Sequence, residues 1–432
     1  MAQPSTPPQT LATWSTFAKL SYASRKPPVT GTFSVDRLEE AARSKLQDST
    51  DAFMYIFGSA GTGSTAEANR AAFRKWTIIP RVLRDISQRN IETTLFGHTY
   101  PSPLLLAPIG AQGIVHPEGE LATAAAAGAL GVPYIMSSAS TRSIEAIAKA
   151  NGGGPRWLQL YWAKNDELVL SLLSRAKASG FTALVVTVDT PFIGWRPFDL
   201  DTAYLPFAHG VGAQVGLTDP VFMASAGLEP FPEDEHPDYP YVAAHQDELI
   251  KNNDTKATVQ TRAGQRFVGE MLDPTKVWDD LARLKEHWDG PLILKGILST
   301  MDAELALKHG VDGIIISNHG GRQIDGSISS LDALHSIMKS RNIKEAQARG
   351  DFTVLMDSGI RTGSDMLKAL ALGAQGVCYG RPYMYALALA GRAGVDSQIR
   401  AMLADFEITL GLAGISTIDQ LRLYADDLVH RD

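Results

Sequence analysis

From residue 103 the chain alternates short apolar runs with amphipathic helical stretches, and this rhythm limits the available folds more than any other feature. The expected strands are 103–110, 133–138, 156–162, 183–189, 291–297, 312–318, 351–359 and 376–381. Between them, helical periodicity covers 119–131, 143–150, 165–180, 275–288, 300–310, 328–342 and 362–373, then continues to about residue 412. Short β-branched runs separated by helices describe parallel strands joined by crossovers. Eight such units predict an α/β fold, a (β/α)₈ TIM barrel, whose functional groups gather where the strands end. A doubly wound open sheet is the alternative. It calls for Gly-x-Gly-x-x-Gly after the first strand, and Ala107-Pro-Ile-Gly-Ala-Gln-Gly does not supply it.

Polar side chains concentrate at the predicted strand ends. In order these read Pro108-Ile-Gly110, Ser137, Gln159-Leu-Tyr161, Thr187-Val-Asp189, Lys295, Ser317-Asn-His319, Asp357-Ser-Gly-Ile-Arg361 and Gly380-Arg381. A histidine at the end of a buried strand is placed for acid–base work. Arg322, three residues beyond it, has the forked donors that grip a carboxylate. The late Gly/Arg turns, Asp357–Arg361 and Gly380-Arg381, lie where barrels commonly bind phosphate, and predict a phosphate-bearing cofactor at the mouth.

Two stretches stand outside the rhythm. Residues 1–32, rich in Pro, Ser and Thr, are expected to form an extended N-terminal arm, followed by one barrel domain over 33–432. Helical patterning starts at Ser34, a candidate cap, and Tyr55 precedes a glycine-rich turn that on its own reads as a plain helix terminus. Residues 190–274, rich in Pro and Asp near their middle, leave from the fourth strand at the site face. They are expected to form a lid, and disorder over 228–262 is compatible with it.

Composition sets the remaining bounds. The 432 residues, 44 % of them hydrophobic, suffice for a large core. A net charge of -7 argues against a nucleic-acid partner or an anionic membrane surface. No apolar run approaches the ~18 residues of a membrane span, and the first residues lack the pattern of a secretory signal. A single cysteine, Cys378, allows no internal disulfide and no cysteine metal cluster. No metal site is expected, and a cytoplasmic enzyme is.

The strand ends, above all Ser317-Asn-His-Gly-Gly-Arg-Gln323, resemble the FMN-dependent 2-hydroxy acid oxidases and dehydrogenases over nearly the whole chain from about residue 34. Gly194-Trp-Arg-Pro-Phe-Asp-Leu200, Leu205-Pro-Phe207 and Thr218-Asp-Pro-Val-Phe222 are most like the lactate 2-monooxygenase subgroup. The resemblance implies FMN as cofactor, and a small L-2-hydroxy acid and O₂ as substrates. It implies His319 as base, Asp189 stabilising its imidazolium, and Arg322 and Arg196 binding the substrate carboxylate with the Tyr55 hydroxyl. Tyr161 would bond the substrate's C2 oxygen. Pro108, Ile109 and Gly110 would pass the flavin at N5, while Ser137, Gln159 and Thr187 would meet its polar edge. Lys295 would face N1/O2, and Asp357, Gly359, Arg361, Gly380 and Arg381 would hold ribityl and phosphate, with Ser317 beside them. A homo-oligomer, tetramer or octamer, is implied too. The sequence departs from the resemblance at Ser358, where a glycine is usual. Lactate oxidation to acetate, CO₂ and water is the leading expectation, and an oxidase releasing 2-oxo acid and H₂O₂ the runner-up. A non-redox phosphate-binding barrel enzyme comes third, and a non-catalytic scaffold last.

Overall fold

The computed structural model describes residues 14–431. Eight parallel strands close into a barrel: β1 (Leu104–Leu106), β2 (Tyr134–Ser137), β3 (Arg156–Tyr161), β4 (Leu184–Thr187), β5 (Leu292–Ile297), β6 (Gly313–Ile316), β7 (Thr353–Met356) and β8 (Gly376–Tyr379). Closure is made by β8 on β1, where Cys378 stands opposite Leu105 and Tyr379 opposite Leu106.

Alternation along each strand sorts side chains into two cores. Leu105, Ile135, Trp157, Val185, Ile293, Ile315, Leu355 and Cys378 fill the barrel interior. Leu104, Leu106, Met136, Leu158, Leu184, Val186, Ile314, Ile316, Val354 and Val377 face the surrounding helices. Because both faces are buried, the strands read as unbroken apolar runs. A two-stranded hairpin, Thr93–Leu95 with His98–Tyr100, plugs the N-terminal end. There the Phe96 and Tyr100 rings meet Trp157 edge-on at 5.6 and 6.3 Å. With the floor sealed, the C-terminal face is left for chemistry.

Four helices precede the barrel: α1 (Thr16–Ser24), α2 (Val35–Lys45), α3 (Thr50–Phe57) and α4 (Ser64–Arg74). The stretch expected to be extended therefore contains α1. Thr16-Phe-Ala-Lys-Leu-Ser-Tyr-Ala has neither Pro nor Gly, and the prolines that colour the composition lie outside it. The first thirteen residues of that arm fall outside the described residues. Ser34 does sit at the N-cap of α2, but its side chain makes no capping bond. The helix expected over 328–342 is two helices, Ser330–Ile337 and Arg341–Arg349, because the Ser340 hydroxyl accepts from Ile343 N–H and starts a second one.

Residues 190–274 fold over the barrel mouth. The part for which disorder was compatible holds the helix Ala243–Lys251 and the first turns of Thr255–Met271. The second buries Ala257, Thr261, Gly264, Phe267 and Met271, a helical stripe hidden from composition by the Pro- and Asp-rich sequence before it. Phe267 meets Phe222 edge-on at 5.4 Å. A Cβ on Gly264 would lie 2.3 Å from the Cα of Gly210, so this close crossing requires glycine. Among the described residues, no helix is long and apolar enough to cross a membrane.

Candidate active site

Helices must return to the next strand, so the β-to-α turns form one rim. Across that rim lies a cavity lined by Tyr55, Pro108, Ile109, Gly110, Tyr161, Arg196, Lys295, His319, Arg322, Asp357, Gly359, Arg361, Gly380 and Arg381. The folded-over segment adds Ile193, Leu205, Phe207, Val268, Met271 and Leu272 to its wall. Most of the residues singled out from sequence thus share one space. Ser137, Gln159, Thr187, Asp189 and Ser317 stand behind it. Ser137 Oγ donates to Gln159 Oε1 at 3.0 Å, and Gln159 Nε2 donates to Thr187 Oγ1 at 2.9 Å, so these three polar ends first bond one another.

His319 follows β6. Its Nδ1 lies 2.8 Å from Asp189 Oδ1, which leaves Nε2 as the ring nitrogen for a ligand. Thr190 Oγ1 donates to the same carboxylate oxygen at 2.7 Å and lies 3.2 Å from Nδ1. Burial opposes the charge on Asp189, but His319, Lys295 and the Thr190 hydroxyl outweigh it and hold the carboxyl well below its ordinary range. The sequence argument expected Asp189 to raise the His319 pKa. Asp189 does pull in that direction, yet burial is larger and Lys295 opposes it as well, so the net direction is down. The imidazole is therefore neutral at pH 7, the form a base needs.

Lys295 ends on the barrel axis, almost wholly buried, with Nζ 3.8 Å from Asp189 and 3.7 Å from Asp357. Burial would lower its pKa; the two carboxylates more than reverse that, and the ammonium stays charged. Tyr161 is pushed up to about 12 by burial against the pull of Lys295, so its hydroxyl remains a donor.

Arg322 follows the His319 turn, and Arg196 comes from the covering segment. Arg322 Nη1 donates to the carbonyls of Tyr55 and Gly58 at 2.7 and 2.8 Å, and its guanidinium lies 5.2 Å from the Tyr55 ring centroid. Arg196 is buried, with Nε on the Arg322 carbonyl at 3.0 Å and Nη2 on Gln323 Oε1 at 3.0 Å. Burial, then the Arg196 charge, push Arg322 down to about 9. Neither arginine has a carboxylate within ion-pair distance among the described residues; Asp199 acts on both from farther away, so two cations share a cavity wall without an ion pair.

Sequence reasoning missed several supports. Thr190 is one. The pair Asn69–Asn318, bonded through both amides at 2.8 and 2.7 Å, is another and ties α4 to the His319 turn. The glycine-rich turn read as a plain terminus is in fact clamped by Asp325. That carboxylate accepts from Thr62 and Ser64 through both backbone N–H groups and both hydroxyls at 2.6–2.9 Å, an N-terminal cap supplied from far along the chain. Asp325 closes the polar run that starts at Ser317, which was the available signal; its partner was not readable. Arg381 also differs from expectation. Its three nitrogens donate to the carbonyls of Ile56, Gly320 and Gly58, so it binds the turn together as well as lining the cavity.

Residues 42–427 match the model of the FMN-dependent dehydrogenase family. The FMN-dependent alpha-hydroxy acid dehydrogenase qulF of Penicillium citrinum is 45 % identical over 382 residues, 88 % of this chain and 87 % of that protein. The L-lactate oxidase of Lysinibacillus sphaericus is 41 % identical, covering 89 % and 90 %. A crystal structure of mandelate oxidase with (S)-2-phenylpropionate superposes with a TM-score of 0.71 at 34 % identity, over 90 % of this chain and 97 % of that one. The donor set here fits FMN. Arg361 lines the cavity, and its buried Nε has no hydrogen-bond partner, as an anion-binding group would show. Gly110 lines the cavity and packs so close to the neighbouring strand end that a Cβ there would lie 2.3 Å from the Ala139 carbonyl. Lys295 offers a fixed positive charge for an electron-accepting ring.

Proposed function

Because the chain belongs to the FMN-dependent dehydrogenase family, acting on 2-hydroxy acids, we propose that it oxidises a small L-2-hydroxy acid with O₂. Our first reading is L-lactate 2-monooxygenase: lactate and O₂ give acetate, CO₂ and water. The observation that carries the substrate class is the pair Arg196 and Arg322, hydrogen-bonded only to neutral acceptors, beside a neutral His319. A buried and a half-buried guanidinium that repel each other bind a carboxylate with gain on both sides.

A 2-hydroxy acid clamped there by its carboxylate turns its C2 oxygen toward Tyr161 and His319. Tyr161 donates a hydrogen bond to that oxygen, and His319 Nε2 takes the hydroxyl proton. Asp189, ionised behind the ring, stabilises the imidazolium that results. As the C2–O bond becomes a carbonyl, the C2 hydrogen leaves with the C–H electron pair; FMN, when bound, would supply the acceptor for that hydride equivalent, with O₂ as the final oxidant. Lys295 would oppose the negative charge that reduction brings, and the Asp357–Arg361 turn would hold the phosphate end. The C2 substituent meets Leu205, Phe207, Val268, Met271 and Leu272, an apolar wall suited to a methyl or larger hydrocarbon group.

Covered by that wall, the 2-oxo acid stays beside newly formed peroxide and is decarboxylated. If it escapes, the products are the 2-oxo acid and H₂O₂, and the similarity to L-lactate oxidase favours this second reading. Oxygen uptake with L-lactate decides between them. Under monooxygenation, catalase added after the trace settles returns no oxygen; the return of half the oxygen consumed establishes the oxidase. If neither lactate nor longer L-2-hydroxy acids bleach the flavin anaerobically, the substrate class is wrong.

A further inference from the structure

His319, Gly320 and Gly321 are consecutive residues with φ of 60°, 69° and 77°. A left-handed run that includes a non-glycine persists only where its surroundings over-determine it. Each of the three N–H groups donates to a different side-chain oxygen: His319 to Ser317 Oγ at 3.0 Å, Gly320 to Ser358 Oγ at 3.0 Å, and Gly321 to Asn318 Oδ1 at 3.1 Å. Ser317 and Asn318 belong to the same turn. Ser358 comes from the end of the neighbouring strand β7, and it too is left-handed, with φ 75°. A glycine would adopt that backbone freely. The serine hydroxyl donates to Asp357 Oδ1 at 2.6 Å, so its proton is committed there and its lone pairs face the Gly320 N–H.

These contacts close a ring. The His319 side chain bonds Asp189, Asp189 faces Lys295, Lys295 faces Asp357, Asp357 accepts from Ser358, and Ser358 returns to the backbone beside His319. We propose that Ser358 is a positioning residue for the base: its hydroxyl fixes the left-handed turn that aims the His319 ring and couples it to the Lys295–Asp357 pair. The serine that departs from the usual glycine is therefore a working part. This rests on His319 being the base, and the tests below separate the two ideas.

Ser358→Gly removes the hydroxyl and also relieves the backbone, while Ser358→Ala removes the hydroxyl and keeps the strain. In FMN-loaded protein, both variants are expected to keep the cofactor, measured as 450 nm absorbance per chain. Both should reduce FMN about tenfold more slowly with an unchanged KM. The acid limb of kcat/KM should move to higher pH, because a ring less fixed in its buried place loses part of the desolvation that lowers its pKa. The charged groups around that ring, Asp189, Lys295 and Arg196, are unaltered. Amide hydrogen exchange over 317–325 should quicken while the rest of the barrel is unaffected. A Ser358→Gly protein with wild-type rate, pH limb and exchange overturns the proposal. So does loss of FMN with normal turnover in the fraction that retains it, which would place Ser358 with the cofactor alone. If the wild-type enzyme oxidises no 2-hydroxy acid, the base assignment fails, and exchange over 317–325 still decides the positioning role.

Discussion

Replacing Asp189 by Asn tests the electrostatic core of the site with the least change in shape. Asp189 is ionised, accepts from His319 Nδ1 at 2.8 Å, and is held by Thr190 and Lys295. When the ring takes a proton, two opposite charges roughly 4 Å apart gain about 4 kcal/mol at an effective dielectric near 20. Lys295, 3.8 Å from the other carboxylate oxygen, offsets part of that gain. At about 1.4 kcal/mol per decade, a loss of two to three decades in the anaerobic rate of flavin reduction follows. The sign of the pH effect is also fixed. Asp189 raises the His319 pKa against burial, so its removal lowers that pKa further. The acid limb of kcat/KM, which reports the free enzyme, should move to lower pH while the plateau falls. Stopped-flow reduction across pH 4.5–8 with saturating and limiting substrate measures both. A limb that moves upward, or a plateau within about threefold of wild type, would show that Asp189 does not stabilise charge on His319.

Two simpler replacements address the other roles. His319→Gln keeps the yellow cofactor and loses flavin reduction by at least about a thousandfold, since no other group at the mouth replaces a neutral imidazole; reduction at a normal rate removes His319 as base. Arg322→Ala leaves Arg196 alone with the carboxylate, and kcat/KM should fall by roughly 2–4 kcal/mol. Turnover of lactate with unchanged kinetic constants would show that the carboxylate binds elsewhere.

How far the sequence reached depends on which contacts are local. Strand positions were readable because burial on both faces makes apolar runs such as Gly313-Ile-Ile-Ile316, and all the expected strands lie in the barrel. Residues at strand ends were readable because a polar group that closes an apolar run must face a common rim. Helices outside the barrel were less so. The Pro content around α1 masked a short helical segment, and the stripe in Thr255–Met271 follows a stretch of Pro and Asp that reads as loop. The first element adds nothing to the cavity wall, but the second supplies Val268 and Met271 to it, and both are held by packing that composition does not record.

What the sequence hid was the second layer, and its character explains why. Thr190, Asn69, Asp325 and Ser358 carry ordinary polar side chains: Thr190 reaches His319 129 residues on, Ser358 meets Gly320 38 residues back, and Asn69 and Asp325 bond partners 249 and 263 residues away. No periodicity marks such a pair. Even a correct first layer misjudged the electrostatics. Placing Asp189 beside His319 predicts a raised pKa, while the burial that reverses it belongs to the closed mouth and not to either residue. The same closure keeps water from screening the Arg196 charge from Arg322, and this gives the pair its need for an anion. The residue types state what chemistry the mouth can perform. The covering segment, whose sequence reads as the least structured part of the chain, sets the protonation states in which it performs it.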